Sequence, residues 1–237
     1  MADRRDVLEM TLQSLVNQGD GAALTAYLMR LSHSQRRDAA LLLANRLLPG
    51  NPATFWPLFI AAVSESSKAY LGTFLKAAVI LQLSDSNFLN THLELITNYM
   101  VSRGTDTDRE KCALAFLPIL TTADEVRKFL SRLFPNTGVG LLPLLLKSET
   151  PACYYVTFRL LTEADNPILA RRVCLQLMRK ATGRAFNLAC LLQAYYGLEP
   201  LPGSFSMKLA PYEISRLDGS YSQFCQMLDG KPITTQK

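Results

Sequence analysis

The sequence predicts an all-α protein without a β-sheet, and three observations support this fold class. Apolar residues recur every three or four positions along most of the 237 residues, which is the spacing of amphipathic helices. Capping signals precede many of these segments, and no stretch of β-branched residues alternates apolar with polar side chains. With 49% hydrophobic and 19% charged residues, the chain has the composition of a globular protein with a sizeable core.

Capping residues mark the helix starts. In Asn51-Pro52, Thr150-Pro151 and Asn166-Pro167, a side-chain oxygen can accept a bond from an orphaned backbone N–H, and the proline lacks an N–H that would have no partner anyway. Thr122 and Glu125 have the spacing of a capping box. Two further starts are indicated by the polar clusters Ser84-Asp85-Ser86 and Thr105-Asp106-Thr107-Asp108. Together with the periodicity, these signals place helix starts near residues 4, 20, 34, 52, 67, 86, 107, 123, 151 and 167.

Glycine and proline divide the helices. Pro49-Gly50, Gly104 and Gly183 are expected to end helices, because glycine readily adopts the conformation that follows a helix C-terminus. Pro118 and Pro143 fall inside apolar segments and are expected to kink them. The segment from Gly138 to Lys147 is apolar almost throughout, so we expect it to lie between neighbouring helices.

Helices this short, joined by short turns and taken in pairs, give a period of about 30 to 40 residues. We therefore expect a helical-repeat solenoid of the HEAT, armadillo or tetratricopeptide type, with an irregular multi-helix stack as the alternative. Residues 1–197 would form this domain. Pro200, Pro202 and Gly203 then interrupt the pattern. We expect residues 198–229 to be a capping segment packed on the last helices, and residues 230–237 to be a flexible tail.

The expected location is the cytoplasm. The longest apolar run, Phe55–Val63, is about half of the roughly 18 residues that a membrane span needs, and no secretory signal is visible. The five cysteines are odd in number, widely spaced and without a C-x-x-C pair, so we expect buried, reduced thiols.

The sequence contains few candidates for catalysis. His92 and Glu94 form an H-x-E pair, but the downstream P-C-x-x-C of zinc deaminases is missing. Walker loops, G-x-S-x-G and H-E-x-x-H are also missing. We expect neither a catalytic residue, nor a metal, nor a cofactor. An enzyme would require a site assembled from residues on distant helices.

The clearest asymmetry is a basic segment at residues 165–190. It contains five cations against Asp165 alone, five minus one, which is +4 of the total formal charge of +5. At 100° per residue, Arg172, Gln176, Arg179 and Lys180 share one helix face. The opposite face is apolar and is expected to dock on the protein: Ala170, Val173, Cys174, Leu177 and Met178. The predicted anion-facing ridge consists of Arg171, Arg172, Arg179, Lys180 and Arg184.

This ridge has two interpretations. It is either a solvated face whose last cations suit the helix dipole, or a binding surface for an acidic partner. Arg171 and Arg172 lie too near the helix start for the dipole explanation. The pairs Tyr154-Tyr155 and Tyr195-Tyr196 lie on adjoining predicted helices and could add aromatic contacts, although at least one ring of each pair should belong to the core. We expect a non-catalytic protein-interaction scaffold or adaptor with a protein partner. The alternative is a helical-repeat protein that binds nucleic acid through the ridge.

Overall fold

The computed structural model describes residues 4–47, 88–180, 182–201 and 220–230. These ranges contain eleven α-helices and no β-strand. The prediction of a mostly helical, all-α chain is confirmed. Backbone contacts divide the chain into two units, Met1–Ile119 and Leu120–Lys237.

In the first unit, three helices pack near the N-terminus: α1 (Arg4–Gln18), α2 (Gly21–Arg30) and α3 (His33–Leu42). The Asp20 carboxylate accepts hydrogen bonds from the backbone N–H groups of Ala22 and Ala23, both at 3.0 Å, and so begins α2. A π-helical turn, Leu43–Leu47, continues α3. The buried side chains are mainly leucines: Leu8, Leu12, Leu24, Leu28, Leu42 and Leu43.

The first unit also contains α4 (Phe88–Arg103) and α5 (Asp106–Phe116). Gly104 ends α4 as predicted, because a Cβ atom there would lie 2.6 Å from the Met100 carbonyl oxygen. The predicted helix start at Thr105 is confirmed as a capping box. The Thr105 hydroxyl accepts a hydrogen bond from the Asp108 N–H at 3.3 Å, and the Asp108 carboxylate accepts one from the Thr105 N–H at 3.1 Å.

The two predicted proline kinks are wrong. Pro118 lies in a 3₁₀ turn, Leu117–Ile119, directly after α5. Proline has no N–H to donate to the helical hydrogen-bond ladder, and here the α-helix has ended before it. Pro143 occupies the first turn of α7 (Leu142–Ser148), where a missing N–H has no cost. The apolar segment predicted at 138–147 is therefore a 3₁₀ turn, Gly138–Leu141, followed by α7.

The second unit is organised around α8 (Pro151–Ala164). This helix contacts α6 (Ala123–Leu133), α7, α10 (Gly183–Tyr196) and α11 (Tyr221–Leu228). The remaining helix, α9 (Pro167–Met178), packs against α10. The predicted caps are confirmed, with Thr122, Thr150 and Asn166 accepting bonds from the N–H groups of Glu125, Cys153 and Leu169.

Gly183 does not end a helix as predicted. It is the first residue of α10, and the preceding Thr182 hydroxyl accepts a hydrogen bond from the Ala185 N–H at 3.4 Å. The previous helix, α9, has already ended at Met178. Glycine is accepted at helix starts as well as after helix ends, so its presence alone did not distinguish the two.

Large side chains from α8, α9, α10 and α11 fill the core of the second unit: Tyr154, Phe158, Leu161, Val173, Cys174, Leu177, Leu188, Leu192, Phe224 and Leu228. The Gln193 side chain is buried with them and ties the chain after α10 to that helix. Its carbonyl oxygen accepts a hydrogen bond from the Leu201 N–H at 2.8 Å.

Several predictions lie outside the described residues: the starts at Asn51-Pro52 and Ser84-Asp85-Ser86, the stop at Pro49-Gly50, and the run Phe55–Val63. The domain boundaries at 197 and 229 stay a prediction. Within the described ranges, no single helix is long and apolar enough to cross a membrane. One pair, α6 with Gly138–Ser148, reaches that length and composition only across a bend of 105°.

Candidate interaction surface

Helix α9 has two distinct faces, and the inner one was predicted. Ala170, Val173, Cys174 and Leu177 are buried, and α9 packs against α10. These positions follow the i, i+3, i+4, i+7 spacing that places side chains on one side of a helix. Burial of this stripe fixes which residues face away from the protein.

The opposite side of α9 is exposed, and we refer to its six residues as the α9 outer face: Ile168, Arg171, Arg172, Leu175, Gln176 and Arg179. Their spacing continues the helical pattern over about 16 Å. Arg179 follows the last helical residue but keeps helical dihedral angles, with φ −80° and ψ −10°. Ile168 and Leu175 are 69% and 44% exposed, so arginines alternate with aliphatic side chains in contact with water.

The side chains of the three arginines of this face form no hydrogen bond or ion pair with any described residue. Elsewhere in the second unit, Arg127, Arg159 and Arg184 each pair with a carboxylate. Within the described part of the chain, the hydrogen-bonding capacity of these three guanidinium groups is therefore unused.

Lys180 does not belong to this surface, contrary to the prediction. Its ammonium group donates a hydrogen bond to the Leu146 carbonyl oxygen at 2.7 Å and pairs with the Glu149 carboxylate. Leu146 lies in the last turn of α7, where carbonyl groups lack helical partners. The prediction extended the helical angle past Met178, where α9 ends, so it assigned Lys180 to the wrong side.

Arg184 is also separate from the outer face. It lies in α10, and its Nε atom is 2.7 Å from an Asp229 carboxylate oxygen at the end of α11. Beside it, the Asn187 amide donates a hydrogen bond to the Leu228 carbonyl oxygen at 2.8 Å. Both contacts hold α11 against α10.

The four predicted contact tyrosines pack in or against the core. Tyr154 is fully buried, and burial raises the pKa of its hydroxyl. The Tyr155 ring contacts Tyr221 and Phe224 edge to face, with centroids 5.3 and 5.0 Å apart.

The second tyrosine pair fastens α10 to α8. The Tyr195 ring lies edge to face with Phe158 of α8 at 5.4 Å, and the Tyr196 hydroxyl donates a hydrogen bond to the Leu161 carbonyl oxygen. Neither of these side chains belongs to the α9 outer face. At least one ring of each pair was predicted to belong to the core, and both rings of each pair contact it.

A second candidate site, a groove of about 360 Å³ between α6 and α8, was not predicted from the sequence. We refer to it as the α6–α8 groove. It is lined by Arg127, Lys128, Leu130, Ser131, Phe134, Asn136, Thr137, Gly138, Leu141, Val156, Leu160 and Glu163. The helical spacing of residues 127, 131 and 134 and of residues 156, 160 and 163 was a visible signal. The sequence does not show, however, that α6 packs against α8, so it could not show that the two stripes line the same groove.

A carboxylate shared by two arginines lies at one end of this groove. A Glu163 oxygen accepts hydrogen bonds from Arg127 at 2.8 Å and from Arg159 at 3.3 Å. Burial raises the pKa of Glu163, but the two guanidinium groups outweigh it and hold the pKa below its usual value.

The described residues contain no group of three or more His, Cys, Asp or Glu side chains placed to hold a metal ion. All five cysteines lie within the described residues and none forms a disulfide bond; Cys112, Cys153, Cys174 and Cys190 are buried, and Cys225 is half-buried. Burial raises the pKa of Cys112 to about 12, which disfavours the reactive thiolate.

No protein-family model matches the chain, and no curated protein or solved structure is detectably similar to it.

Proposed function

We propose that this protein is a non-catalytic interaction scaffold or adaptor whose stacked helices form a helical-repeat solenoid. The α9 outer face would bind an acidic segment of a protein partner. One observation supports this proposal above the others: Ile168 and Leu175 are exposed among three arginines that have no ion-pair partner in the described chain.

The mixture of residues favours a protein ligand. Exposed aliphatic side chains gain about 25 cal/mol per Å² when a partner removes them from water. Arginine is enriched among the residues that dominate protein interfaces, because it combines charge, planar hydrogen bonding and an apolar stem. A complementary partner would be a helix with apolar residues at i and i+7, flanked by Asp or Glu.

Nucleic acid binding is the second candidate function. The cluster of Arg171, Arg172 and Arg179 favours it, because arginines neutralise the phosphates of a nucleic-acid backbone. A phosphate backbone offers nothing apolar to Ile168 or Leu175, and the nearby tyrosines are packed in the core instead of lying beside the arginines. A protein partner therefore accounts for more of this surface.

The test uses two defined probes on the full chain. The first is an acidic amphipathic peptide with leucines at i and i+7 among glutamates. The second is a pair of single- and double-stranded oligonucleotides measured across a salt series. Two variants separate the contributions: Arg171→Glu/Arg172→Glu/Arg179→Glu, and Ile168→Ala/Leu175→Ala. For a protein-binding surface, we expect both variants to lose peptide affinity by about tenfold or more.

The Ile168→Ala/Leu175→Ala variant distinguishes the two hypotheses, because it should weaken peptide binding to a protein-binding surface but leave oligonucleotide binding to a nucleic-acid surface unchanged. A nucleic-acid surface would lose oligonucleotide binding on charge reversal and with rising salt, yet keep it after Ile168→Ala/Leu175→Ala. The matched control, Arg30→Glu/Arg132→Glu/Lys147→Glu, reverses three exposed cations outside α9. If the control variant weakens peptide binding as much as the α9 variant does, only net charge matters and the proposed surface is wrong.

A further inference from the structure

We propose that the α6–α8 groove is a binding site for an anionic amphiphile, meaning a small ligand with an apolar chain or ring and a carboxylate head. The groove arises because α6 and the segment Gly138–Ser148 meet at 105° while α8 packs along α6. These elements diverge and leave a wedge between them that no described side chain fills.

The floor and walls of the groove are apolar. Leu130, Leu141 and Val156 are buried beneath it, and Phe134 and Leu160 are half-buried at its sides. Its volume of about 360 Å³ lies within the range of small-molecule pockets, roughly 300 to 1,000 Å³. A short aliphatic chain or a single aromatic ring suits this space, because it would remove the exposed parts of Phe134 and Leu160 from water.

The charge around one end selects an anion. Of the charged residues that line the groove, Arg127 and Lys128 are positive and Glu163 is negative, so two minus one leaves an excess of +1. Arg159 does not line the groove, but it pairs with the same Glu163 oxygen and further offsets that negative charge. The Arg127 side chain is 41% exposed and can donate a hydrogen bond to a second carboxylate beside Glu163. Lys128 is exposed and forms no ion pair with a described residue. A cationic head group would be repelled by the same excess of positive charge.

This proposal does not depend on the α9 outer face, because the two sites share no residue. It commits to a small ligand in preference to a partner helix. The turn at residues 136–138 also lines the groove, and the stripe on α6 from Arg127 to Phe134 is only about 10 Å long, which is short for a partner helix.

The experiment is calorimetric titration of the full chain with octanoate, octanol and octyltrimethylammonium, which share an alkyl chain and differ in the charge of the head. We expect octanoate to bind about tenfold more tightly than octanol, as one charge-assisted hydrogen bond would give, and the cation to bind more weakly than either. The proposal fails if octanoate does not bind up to its solubility limit. It also fails if octanol binds as tightly as octanoate.

Two variants locate the binding. Ser131 is exposed on the groove wall, and its hydroxyl donates to the Lys128 carbonyl oxygen of the same helix at 3.1 Å. Ser131→Trp should therefore fill the groove without disturbing the core and abolish octanoate binding, whereas Ser131→Ala should leave binding unchanged. Arg127→Gln should remove the preference for octanoate over octanol. Unchanged octanoate affinity in a folded Ser131→Trp variant, checked by circular dichroism, would place the ligand elsewhere and overturn the assignment.

Discussion

Two adjacent cations at the end of α9 have different surroundings, which leads to our central prediction. The sequence gives Arg179 and Lys180 the same role, but the Arg179 side chain is exposed, and Lys180 joins α9 to α7. We therefore compare Lys180→Met with Arg179→Met. Both substitutions remove one positive charge, and methionine keeps the apolar stem of each side chain. One variant should lose stability, and the other should lose binding.

The magnitude follows from the contacts of Lys180, whose side chain is 23% exposed. A hydrogen bond from a charged group such as the one to the Leu146 carbonyl contributes about 1.5 to 3 kcal/mol. The ion pair with Glu149, which is 36% exposed, is screened by solvent and adds about 0.2 to 1 kcal/mol. We expect Lys180→Met to lower the free energy of unfolding by about 2 kcal/mol, equivalent to a fall in Tm of roughly 4 to 8 °C. For Arg179→Met, which loses no such contact, the expected change is within about 0.5 kcal/mol.

Thermal unfolding followed by circular dichroism measures the first effect, and titration with the acidic peptide measures the second. At a temperature where both variants are folded, Arg179→Met should weaken peptide binding and Lys180→Met should not. The assignment of the two side chains is refuted if Lys180→Met keeps the wild-type Tm and weakens peptide binding.

Three further predictions concern stability and its dependence on pH. Phe224→Ala should lower the free energy of unfolding by about 3 to 5 kcal/mol in a denaturant titration, because the ring is fully buried in the core. Burial raises the pKa of Cys112 from 9.0 to about 12, so as the pH rises above 9 the Cys112 thiol ionises in the unfolded chain but not in the folded one. The free energy of unfolding should then fall by about 1.4 kcal/mol per pH unit between pH 9 and 12, a contribution that Cys112→Ala should remove. Burial also acts to raise the pKa of Glu125, but hydrogen bonds from Thr121 and Thr122 hold it below its usual value. Glu125→Ala should therefore cost about 1 kcal/mol at pH 7 and progressively less as the pH falls below 4.5, and an equal cost at pH 3 and pH 7 would contradict this account.

Features that depend on neighbouring residues were predictable from the sequence. The caps at Thr105, Thr122, Thr150 and Asn166 are confirmed, because a capping hydrogen bond spans only two or three residues. The inner face of α9 is confirmed for a similar reason, since helical spacing alone decides which side chains share a side.

The wrong predictions concern features that depend on contacts between different secondary-structure elements. Whether Pro118 kinks or ends a helix depends on what packs after it, and the sequence pattern is the same in both cases. The position of Lys180 depends on α7, which lies more than 30 residues earlier in the chain. No local pattern indicated that Glu149 would be its partner.

The sequence by itself determined the helical class, most of the described helix starts, and the presence of a basic, partly aliphatic helix. The tertiary structure alone decided which of five predicted cations face solvent and which hold helices together. It also decided that the tyrosines belong to the core and that α6 and α8 enclose a groove. The physical reason is range: caps and helix faces are set within one or two turns, whereas ion pairs, cores and cavities join residues distant along the chain.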